Sequence, residues 1–136
     1  MILASGAFDG LHSGHVAYLA AASALDDSLP LVVAIAPNLY IRACKCREPR
    51  WEQRERAETV AALKVVAETV EHPELSIAGV IRRLRPRIVV KGSDWAGKLP
   101  ADVVAACVEV GAVVRFVDCE RTHGASVEWR RIGESL

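Results

Sequence analysis

The chain has 136 residues, of which 51% are hydrophobic, a length that closes one hydrophobic core and is too short for two ordinary domains. Its 17 lysines and arginines balance 17 aspartates and glutamates, so no overall positive field favours nucleic acid as the main partner. The longest apolar stretches fall well short of the roughly 20 residues that span a bilayer, and the first residues lack the pattern of a signal peptide. We therefore expect one domain over residues 1–136, in the cytoplasm, with neither nucleic acid nor membrane as a partner.

Strand-like and helix-like segments alternate along the chain. Short β-branched runs separate longer stretches of helical period, which is typical of βαβ units and a parallel sheet. In chain order we predict a strand at residues 2–4, a helix at 14–25, a strand at 31–36, a helix at 51–66, a strand at 68–71, a helix at 77–84, a strand at 88–90, a helix at 100–110, a strand at 112–117 and a helix at 126–132. The predicted fold class is therefore α/β, a single-domain Rossmann-like doubly wound parallel sheet of about five strands.

Functional residues are expected at one edge of this sheet. Ligands of an open parallel sheet bind outside the carboxyl ends of the strands, where loops lead into helices. Four unusual loops fall there, at residues 5–15, 37–50, 91–98 and 118–126. The second of these is the longest irregular stretch that we predict, and its basic composition indicates a function.

The first loop combines glycines with two histidines. Gly6, Gly10 and Gly14 let the backbone approach a phosphate closely, and helix-end amides donate hydrogen bonds to an anion. His12 and His15 stand where the helix begins, and because each imidazole can donate a hydrogen bond, we expect the pair to contact one anion. A zinc site is the alternative interpretation. No third and fourth ligand lies nearby at a familiar spacing, so we predict no metal held by the protein itself.

The second loop is rich in basic side chains. A run of charge is usually a solvated face, and that interpretation has at least even weight for Arg47, Arg50 and Arg54. Lys45 and Arg56 are the better candidates for a role in binding anions, on grounds of the family pattern given below.

The third and fourth loops offer polar groups. Asp94 beside Trp95 can hold a base or a polar substrate by hydrogen bonding and stacking. Residues 121–126 supply a guanidinium, two hydroxyls and the amides before a helix, which together suit an anion. Ser126 could equally be a helix N-cap, so either loop alone is weak evidence.

The cysteines give no sign of a disulfide framework. Cys44, Cys46, Cys107 and Cys119 contain no pair of Cys-x-x-Cys motifs, and a chain of this size needs no such framework. Cys44 and Cys46 could bind a metal together with a histidine, but their spacing is unusual for zinc. We expect reduced thiols.

At these loops the sequence resembles the cytidylyltransferase-like family of nucleotidylyltransferases. The first loop of that family reads Gly-x-Phe-Asp-x-x-His-x-Gly-His, and residues 6–15 match it without a gap. The similarity continues, in order along nearly the whole chain, through Lys45, Arg56, Asp94-Trp95-x-Gly-Lys98 and Arg121-Thr122-x-Gly-x-Ser126.

The resemblance implies a reaction and a set of site residues. A phosphate oxygen of an acceptor attacks the α-phosphate of a nucleoside triphosphate, and pyrophosphate leaves. The implied catalytic residues are His12, His15, Lys45, Arg56 and Arg121. The implied nucleotide-binding residues are Gly6, Ala7, Phe8, His12, His15, Lys91, Gly92, Asp94, Arg121, Thr122 and Ser126. The implied residues for the second substrate are Asp9, Lys45, Trp95 and Lys98.

A cofactor and a partner are implied as well. We expect Mg²⁺ on the phosphates, held largely by the nucleotide and water, with Asp9 at most bonded to its water ligands. A homodimer is typical of the family, and CTP or ATP together with a phosphorylated small molecule would be the substrates.

Two branches of the family are most similar, and they differ in nucleotide. Residues 92–98 and 121–122 resemble glycerol-3-phosphate cytidylyltransferase, which favours CTP, whereas residues 90–94 also resemble the adenylyltransferase of ADP-heptose synthesis. The sequence departs from both at Val127 and Glu128, where the family has hydroxyls, and at Asn38, where an acid is common. Transfer of CMP to a phosphorylated alcohol is the first hypothesis. Transfer of AMP to a sugar 1-phosphate and a non-catalytic nucleotide-binding module are the alternatives.

Overall fold

Strands and helices alternate along the computed structural model, which describes residues 1–118. The strands are β1 (Ile2–Gly6), β2 (Leu31–Ile35), β3 (Glu68–Glu71), β4 (Ile88–Gly92) and β5 (Val113–Val117). The helices are α1 (Ser13–Ser23), α2 (Asn38–Lys45), α3 (Gln53–Ala61), α4 (Ala78–Leu84) and α5 (Ala101–Val110), with a 3-10 turn at Ser93–Trp95. All strand pairs are parallel, which confirms the predicted α/β class and the five-stranded sheet.

The strand order is β3-β2-β1-β4-β5, so the direction of winding reverses at β1. On one side, β1 pairs with β2 along its whole length, from Ile2 to Gly6. On the other side, β1 pairs with β4 only at Ile2 and Leu3. The carboxyl ends of β1 and β4 therefore separate, and they open a crevice at the point where a doubly wound sheet binds its ligand.

The two faces of the sheet bury separate hydrophobic clusters, as alternation along β1 shows. Ile2 and Ala4 pack into a cluster with Leu19 of α1 and Val60 of α3. Leu3 packs on the opposite face, in a cluster built with α4 and α5. Because side chains alternate along a strand, one strand anchors both layers of helices. The helices on both faces confirm the doubly wound prediction.

The basic segment 37–50 differs from its prediction, because α2 occupies its first part. Ile41 is fully buried against Ala7 and Ala36, while most of the helix is exposed. α2 has only eight residues, and so short a segment holds too few apolar positions for a helical period to be distinguished from a loop, which explains why sequence alone indicated a loop.

Two strands run further than predicted. β1 continues through Ser5 and Gly6, and β4 continues through Lys91 and Gly92. Polar side chains and glycine at strand ends mask the β-branched pattern on which the prediction depended. The predicted helix at 126–132 lies outside the described residues.

Two further expectations concern membranes and thiols. No helix within residues 1–118 has the length and apolar character needed to cross a bilayer. Cys44 and Cys46 are exposed thiols and Cys107 is a buried thiol, none of them in a disulfide, as predicted. Cys119 lies outside the described part of the chain.

His72, just beyond β3, is a buried polar residue. It is 2% exposed, and neither ring nitrogen has a hydrogen-bond partner among residues 1–118. The nearest carboxylate oxygen, from Glu74, lies 3.8 Å from Nδ1. Burial lowers the pKa of His72, and the interaction with Glu74 offsets only part of that effect. The folded protein therefore holds this imidazole neutral.

The neutral state of His72 predicts an acid-dependent loss of stability. The pKa of His72 in the folded protein lies below the ordinary value of 6.5. Above pH 6.5 the imidazole is neutral in both states and folding carries no penalty from it. Below pH 6.5 the unfolded chain binds a proton that the folded protein does not, so the free energy of unfolding falls. We expect the free energy of unfolding to fall by up to about 1.4 kcal/mol per pH unit between pH 6.5 and the folded pKa. Urea unfolding from pH 7 to pH 5 measures this, and His72→Leu should show a shallower slope than the wild type. Equal slopes would contradict the prediction.

Candidate active site

A cavity of about 940 Å³ opens where the carboxyl ends of β1 and β4 separate. Eleven of the residues predicted to form the site line it: Gly6, Ala7, Phe8, Asp9, His12, His15, Lys45, Lys91, Gly92, Asp94 and Trp95. They come from three segments that are far apart in the chain and that meet at one edge of the sheet.

The two histidines cap α1 and stack on each other. Nδ1 of His12 accepts a hydrogen bond from the Gly14 amide at 3.1 Å, and Nδ1 of His15 accepts from the His12 amide at 3.3 Å. The two rings lie 3.8 Å apart, centroid to centroid, at an angle of 28°. Phe8 contacts the His15 ring edge-on, with centroids 5.3 Å apart. The backbone itself thus sets the orientation of both rings.

The capping bonds determine which nitrogen of each ring donates. Since Nδ1 of His12 and of His15 accepts from an amide, the proton of each neutral ring is carried by Nε2. Both rings line the cavity beside the first amides of α1, whose partial positive charge favours an anion. The arrangement can hold a phosphate group with two imidazole donors and the helix terminus.

Two glycines leave space at the strand ends. A Cβ atom on Gly6 would lie 2.8 Å from the Phe8 ring, and one on Gly92 would lie 2.7 Å from a carboxylate oxygen of Asp94. Phe8 itself has a positive φ of 52°, a backbone conformation that is uncommon for a bulky residue. Gly6 therefore leaves room for the buried Phe8 ring, whereas the exposed Asp94 carboxylate can turn away from a Cβ at position 92.

Asp9 holds the segment before α3 against the first loop. Its carboxylate accepts hydrogen bonds from the Arg50 amide at 2.9 Å and the Trp51 amide at 3.0 Å, and it forms an ion pair with Arg47. Burial alone would raise the pKa of Asp9, but the bonds from Arg50, Arg47 and Trp51 outweigh burial and leave the pKa below its ordinary value. Asp9 lines the cavity, yet its oxygens already bond the protein.

Three cations form one wall of the cavity. Lys45, at the end of α2, lines it as predicted, together with Arg47 and Arg50. Arg47 is positioned by its ion pair with Asp9, whereas Arg54 forms an exposed pair with Glu58 and does not line the cavity. The solvated interpretation of the basic run therefore fits Arg54, whereas Arg47 and Arg50 are exposed and also line the cavity.

Arg56 lies elsewhere than predicted. The sequence predicts Arg56 as a catalytic residue that binds phosphate anions, but it is 1% exposed and does not line the cavity. Its guanidinium donates to the carbonyls of Ala7 at 2.7 Å, Ala36 at 2.8 Å and Trp51 at 3.0 Å. It also donates to the side-chain oxygen of Asn38 at 2.8 Å. The structure corrects the prediction, because these bonds commit Arg56 to joining the loops around the site.

The opposite wall of the cavity is formed by the end of β4. Nζ of Lys91 donates a hydrogen bond to Oγ of Ser5 at 2.9 Å and lies 5.1 Å from the centre of the Trp95 ring. Asp94 lines the cavity beside them. Lys98 follows in the chain but does not line the cavity, so the structure does not place this predicted residue in the site. Arg121, Thr122 and Ser126 lie outside the described residues.

Gly10 and Gly14 of the glycine-rich loop also line the cavity, and six further lining residues were not predicted: Ser5, Tyr18, Tyr40, Arg47, Arg50 and Ser93. Tyr18 follows His15 by three residues on α1, so helical spacing could have identified it. Its hydroxyl donates to the Val90 carbonyl at 3.0 Å. Ser5 had no comparable signal, because its partner Lys91 is 86 residues away in the chain.

No metal-binding cluster is formed by the protein side chains in this region. Within residues 1–118, no three His, Cys, Asp or Glu side chains group closely enough to hold a metal ion.

Comparison with known proteins relates this chain to a family. The cytidylyltransferase-like family model matches residues 3–129. The bifunctional protein HldE of Campylobacter fetus is 36% identical over 123 residues, which cover 90% of this chain and 26% of that protein. The FAD synthase of Haloferax volcanii is 34% identical over 136 residues, which cover 99% of this chain and 88% of that protein. The chain thus spans about a quarter of the length of the HldE proteins that it matches.

A solved structure has the same fold. The crystal structure of a lipopolysaccharide core biosynthesis protein from Thermoplasma volcanium matches with a TM-score of 0.72 and 27% sequence identity. The match covers 90% of this chain and 97% of that one. It supports the Rossmann-like assignment that the sequence predicted.

The bonding of Arg56 predicts a structural role for this residue. Arg56→Met would leave two buried carbonyls and one partly buried carbonyl without their donor, so we expect the free energy of unfolding to fall by about 3 kcal/mol or more. Arg54→Met, on the exposed side of the same helix, is the matched control and should change it by less than about 0.5 kcal/mol. Urea unfolding measures both. An Arg56→Met protein with wild-type stability and no turnover would restore the phosphate-clamp interpretation.

Proposed function

Since the chain belongs to the cytidylyltransferase-like family of nucleotidyltransferases, we propose that it transfers a nucleoside monophosphate from a nucleoside triphosphate to a phosphorylated small molecule. The observation that carries the proposal is the pair of stacked, backbone-oriented imidazoles at the start of α1, facing a cavity with three cations on one wall. This arrangement suits two anionic substrates that must be brought together.

The proposed reaction is a displacement at the α-phosphorus. A phosphate oxygen of the acceptor forms a bond to that phosphorus, the bond to the bridging oxygen of the β-phosphate breaks, and pyrophosphate leaves with the electron pair. The attacking oxygen is already ionised near neutral pH, so no strong general base is required. Catalysis consists mainly of aligning two anions and stabilising the charge that grows on the transferred and leaving groups.

Different residues of the cavity would align the two anions and stabilise the charge that grows during the reaction. His12 and His15 would donate from Nε2 to oxygens of the triphosphate, assisted by the amides that begin α1. Lys45, Arg47 and Arg50 would offset the charge of the leaving pyrophosphate or of the acceptor. Arg121, Thr122 and Ser126 remain proposed nucleotide contacts on the strength of the family pattern.

For the nucleotide, we propose ATP ahead of CTP. The Asp94-Trp95 segment favours CTP by resemblance, but one relative is named for FAD, a product that contains an adenylyl group. Other relatives are HldE proteins, and Lys91-Gly92-Ser93-Asp94 resembles the adenylyltransferase of ADP-heptose synthesis. We propose a phosphorylated sugar or alcohol as the acceptor.

We propose Mg²⁺ as a cofactor that arrives with the triphosphate. The described residues suit an ion coordinated by phosphate oxygens and water, because the Asp9 carboxylate is already bonded to the protein and Asp94 is the other carboxylate on the cavity wall. When bound, such an ion neutralises charge on the phosphates.

We also propose that the chain is cytoplasmic and forms a homodimer. The two edges of the sheet differ, because β3 carries exposed Glu68 and Glu71 while β5 exposes Val113 and Phe116. Charged residues protect an edge strand from association, and an apolar edge favours it. Light scattering in solution would decide the oligomeric state.

A comparison of two nucleotides tests the choice of donor. A ligand that binds only the native state raises its stability with the logarithm of ligand concentration over Kd. We expect ATP with Mg²⁺ to raise the melting temperature more than CTP with Mg²⁺ at equal concentration. A larger shift with CTP would reverse the proposed order and favour the cytidylyl hypothesis.

Replacement of His12 tests the proposed reaction. In His12→Asn the side chain can still cap α1, but the imidazole donor is lost, so we expect turnover to fall at least about a hundredfold with little change in melting temperature. Release of pyrophosphate measures turnover, and the exposed neighbour variant Ser13→Ala should retain it. Wild-type turnover in His12→Asn would exclude the proposed role. Binding of ATP without pyrophosphate release, across phosphorylated sugars and alcohols, would favour the nucleotide-binding module.

A further inference from the structure

Lys91 places an ammonium group in the cavity without a carboxylate partner. Its Nζ atom donates to the Ser5 hydroxyl at 2.9 Å and lies over the Trp95 ring. No ion pair within 4.0 Å in the described chain includes Lys91, although Asp94 lies three residues further on. A neutral hydroxyl and a ring face compensate a buried charge only in part.

The position of Lys91 separates it from the two histidines. Leu3 packs on the sheet face covered by α4 and α5, and alternation along β1 places Ser5 on that same face. The hydrogen bond to Ser5 therefore holds the Lys91 ammonium on this side of β1. His12 and His15 belong to the start of α1, which packs on the other face. The cavity thus has hydrogen-bond donors on both sides of the β1 end.

We propose that Lys91 forms a second anion subsite of this cavity, which binds a phosphate group of one substrate. This inference rests on the proposed function for its choice of ligand, because that reaction uses two phosphorylated substrates at once. The subsite explains why a half-buried ammonium lies beside a hydroxyl and an aromatic ring instead of a carboxylate.

The electrostatic surroundings of Lys91 link the binding of a phosphate to the uptake of a proton by the Lys91 amine. Burial lowers the pKa of Lys91 to about 8, and the nearby Asp94 charge only partly opposes burial. An anion bound at the ammonium would favour the charged form and raise that pKa again. A phosphate would therefore bind less well above pH 8, because a growing share of the protein carries neutral Lys91.

The other groups that face Lys91 keep one charge state near pH 8. Burial raises the pKa of the Cys107 thiol on α5, and burial lowers the pKa of His72 beyond β3. Both are then neutral at pH 8. If phosphate binding on this side of β1 changes near pH 8, the change is therefore assigned to the titration of Lys91.

The plainer interpretation is that Lys91 only joins β4 to β1 through Ser5. In that case, loss of the hydrogen bond would lower stability, while the dependence of binding on pH would be unchanged. Ser5→Ala removes the bond and keeps the charge, so it separates the two interpretations.

Calorimetric titration at pH 7.5 and pH 9 provides the test, with MgATP and inorganic phosphate as separate probes. For a wild-type group with a pKa of about 8, we expect the Kd of one probe to rise about tenfold between these pH values, with proton uptake measured in buffers of different ionisation enthalpy. Lys91→Arg should retain tight binding at both pH values, because arginine stays charged. Lys91→Met should bind that probe about tenfold more weakly at pH 7.5 and without proton uptake. Ser5→Ala should keep the proton uptake.

The two probes identify the substrate that the subsite serves. An effect on MgATP assigns Lys91 to the donor nucleotide, and an effect on inorganic phosphate assigns it to the acceptor. Equal pH dependence in the wild type and Lys91→Arg, wild-type binding by Lys91→Met, or no binding of either probe would overturn the inference.

Pyrophosphate release separates this inference from the proposed function. Proton-linked binding at Lys91 with no pyrophosphate release would leave the subsite in place and refute the enzyme. Turnover with no linkage to Lys91 would support the enzyme and refute the subsite. Melting temperatures of all variants confirm that each is folded.

Discussion

The guanidinium of Arg56 is the interaction on which the rest of the site depends. Its bonds to Ala7, Ala36, Asn38 and Trp51 join the ends of β1 and β2 to the start of α2 and the segment before α3. Every one of these segments contributes to the cavity or borders it. A guanidinium suits this position because it presents several donors in one plane. Lys45, Arg47 and Arg50 therefore belong to segments of the chain that the buried Arg56 guanidinium holds in place.

Local and distant contacts differ in how well the sequence predicts them. The pairing of His12 with His15 follows from three residues of helix, and the alternation of strands and helices follows from the period of apolar residues. Arg56 could not be assigned in this way, because its acceptors are mostly backbone carbonyls, which leave no trace in residue identity. Lys91 and Ser5 meet only because β4 returns beside β1.

The basic segment shows the same limit on a smaller scale. Arg47, Arg50 and Arg54 have similar chemistry, yet only the first two line the cavity. The difference arises from Asp9. Its buried carboxylate accepts hydrogen bonds from the amides of Arg50 and Trp51 and so holds this part of the chain against the first loop. The sequence shows how many charged residues this segment has, but the hydrogen bonds of the folded chain determine which of them line the cavity.

The close contact at Gly6 has a consequence for how this site can diversify. A larger residue at Gly6 would meet the buried Phe8 ring, whereas a larger residue at Gly92 would meet only the flexible end of the exposed Asp94 side chain. Sequence variation that changes the choice of ligand is therefore restricted at the end of β1 and freer at the end of β4 and in the 3-10 turn after it, where Ser93 is exposed. A library that aims to change this choice should vary the turn and keep Gly6 unchanged.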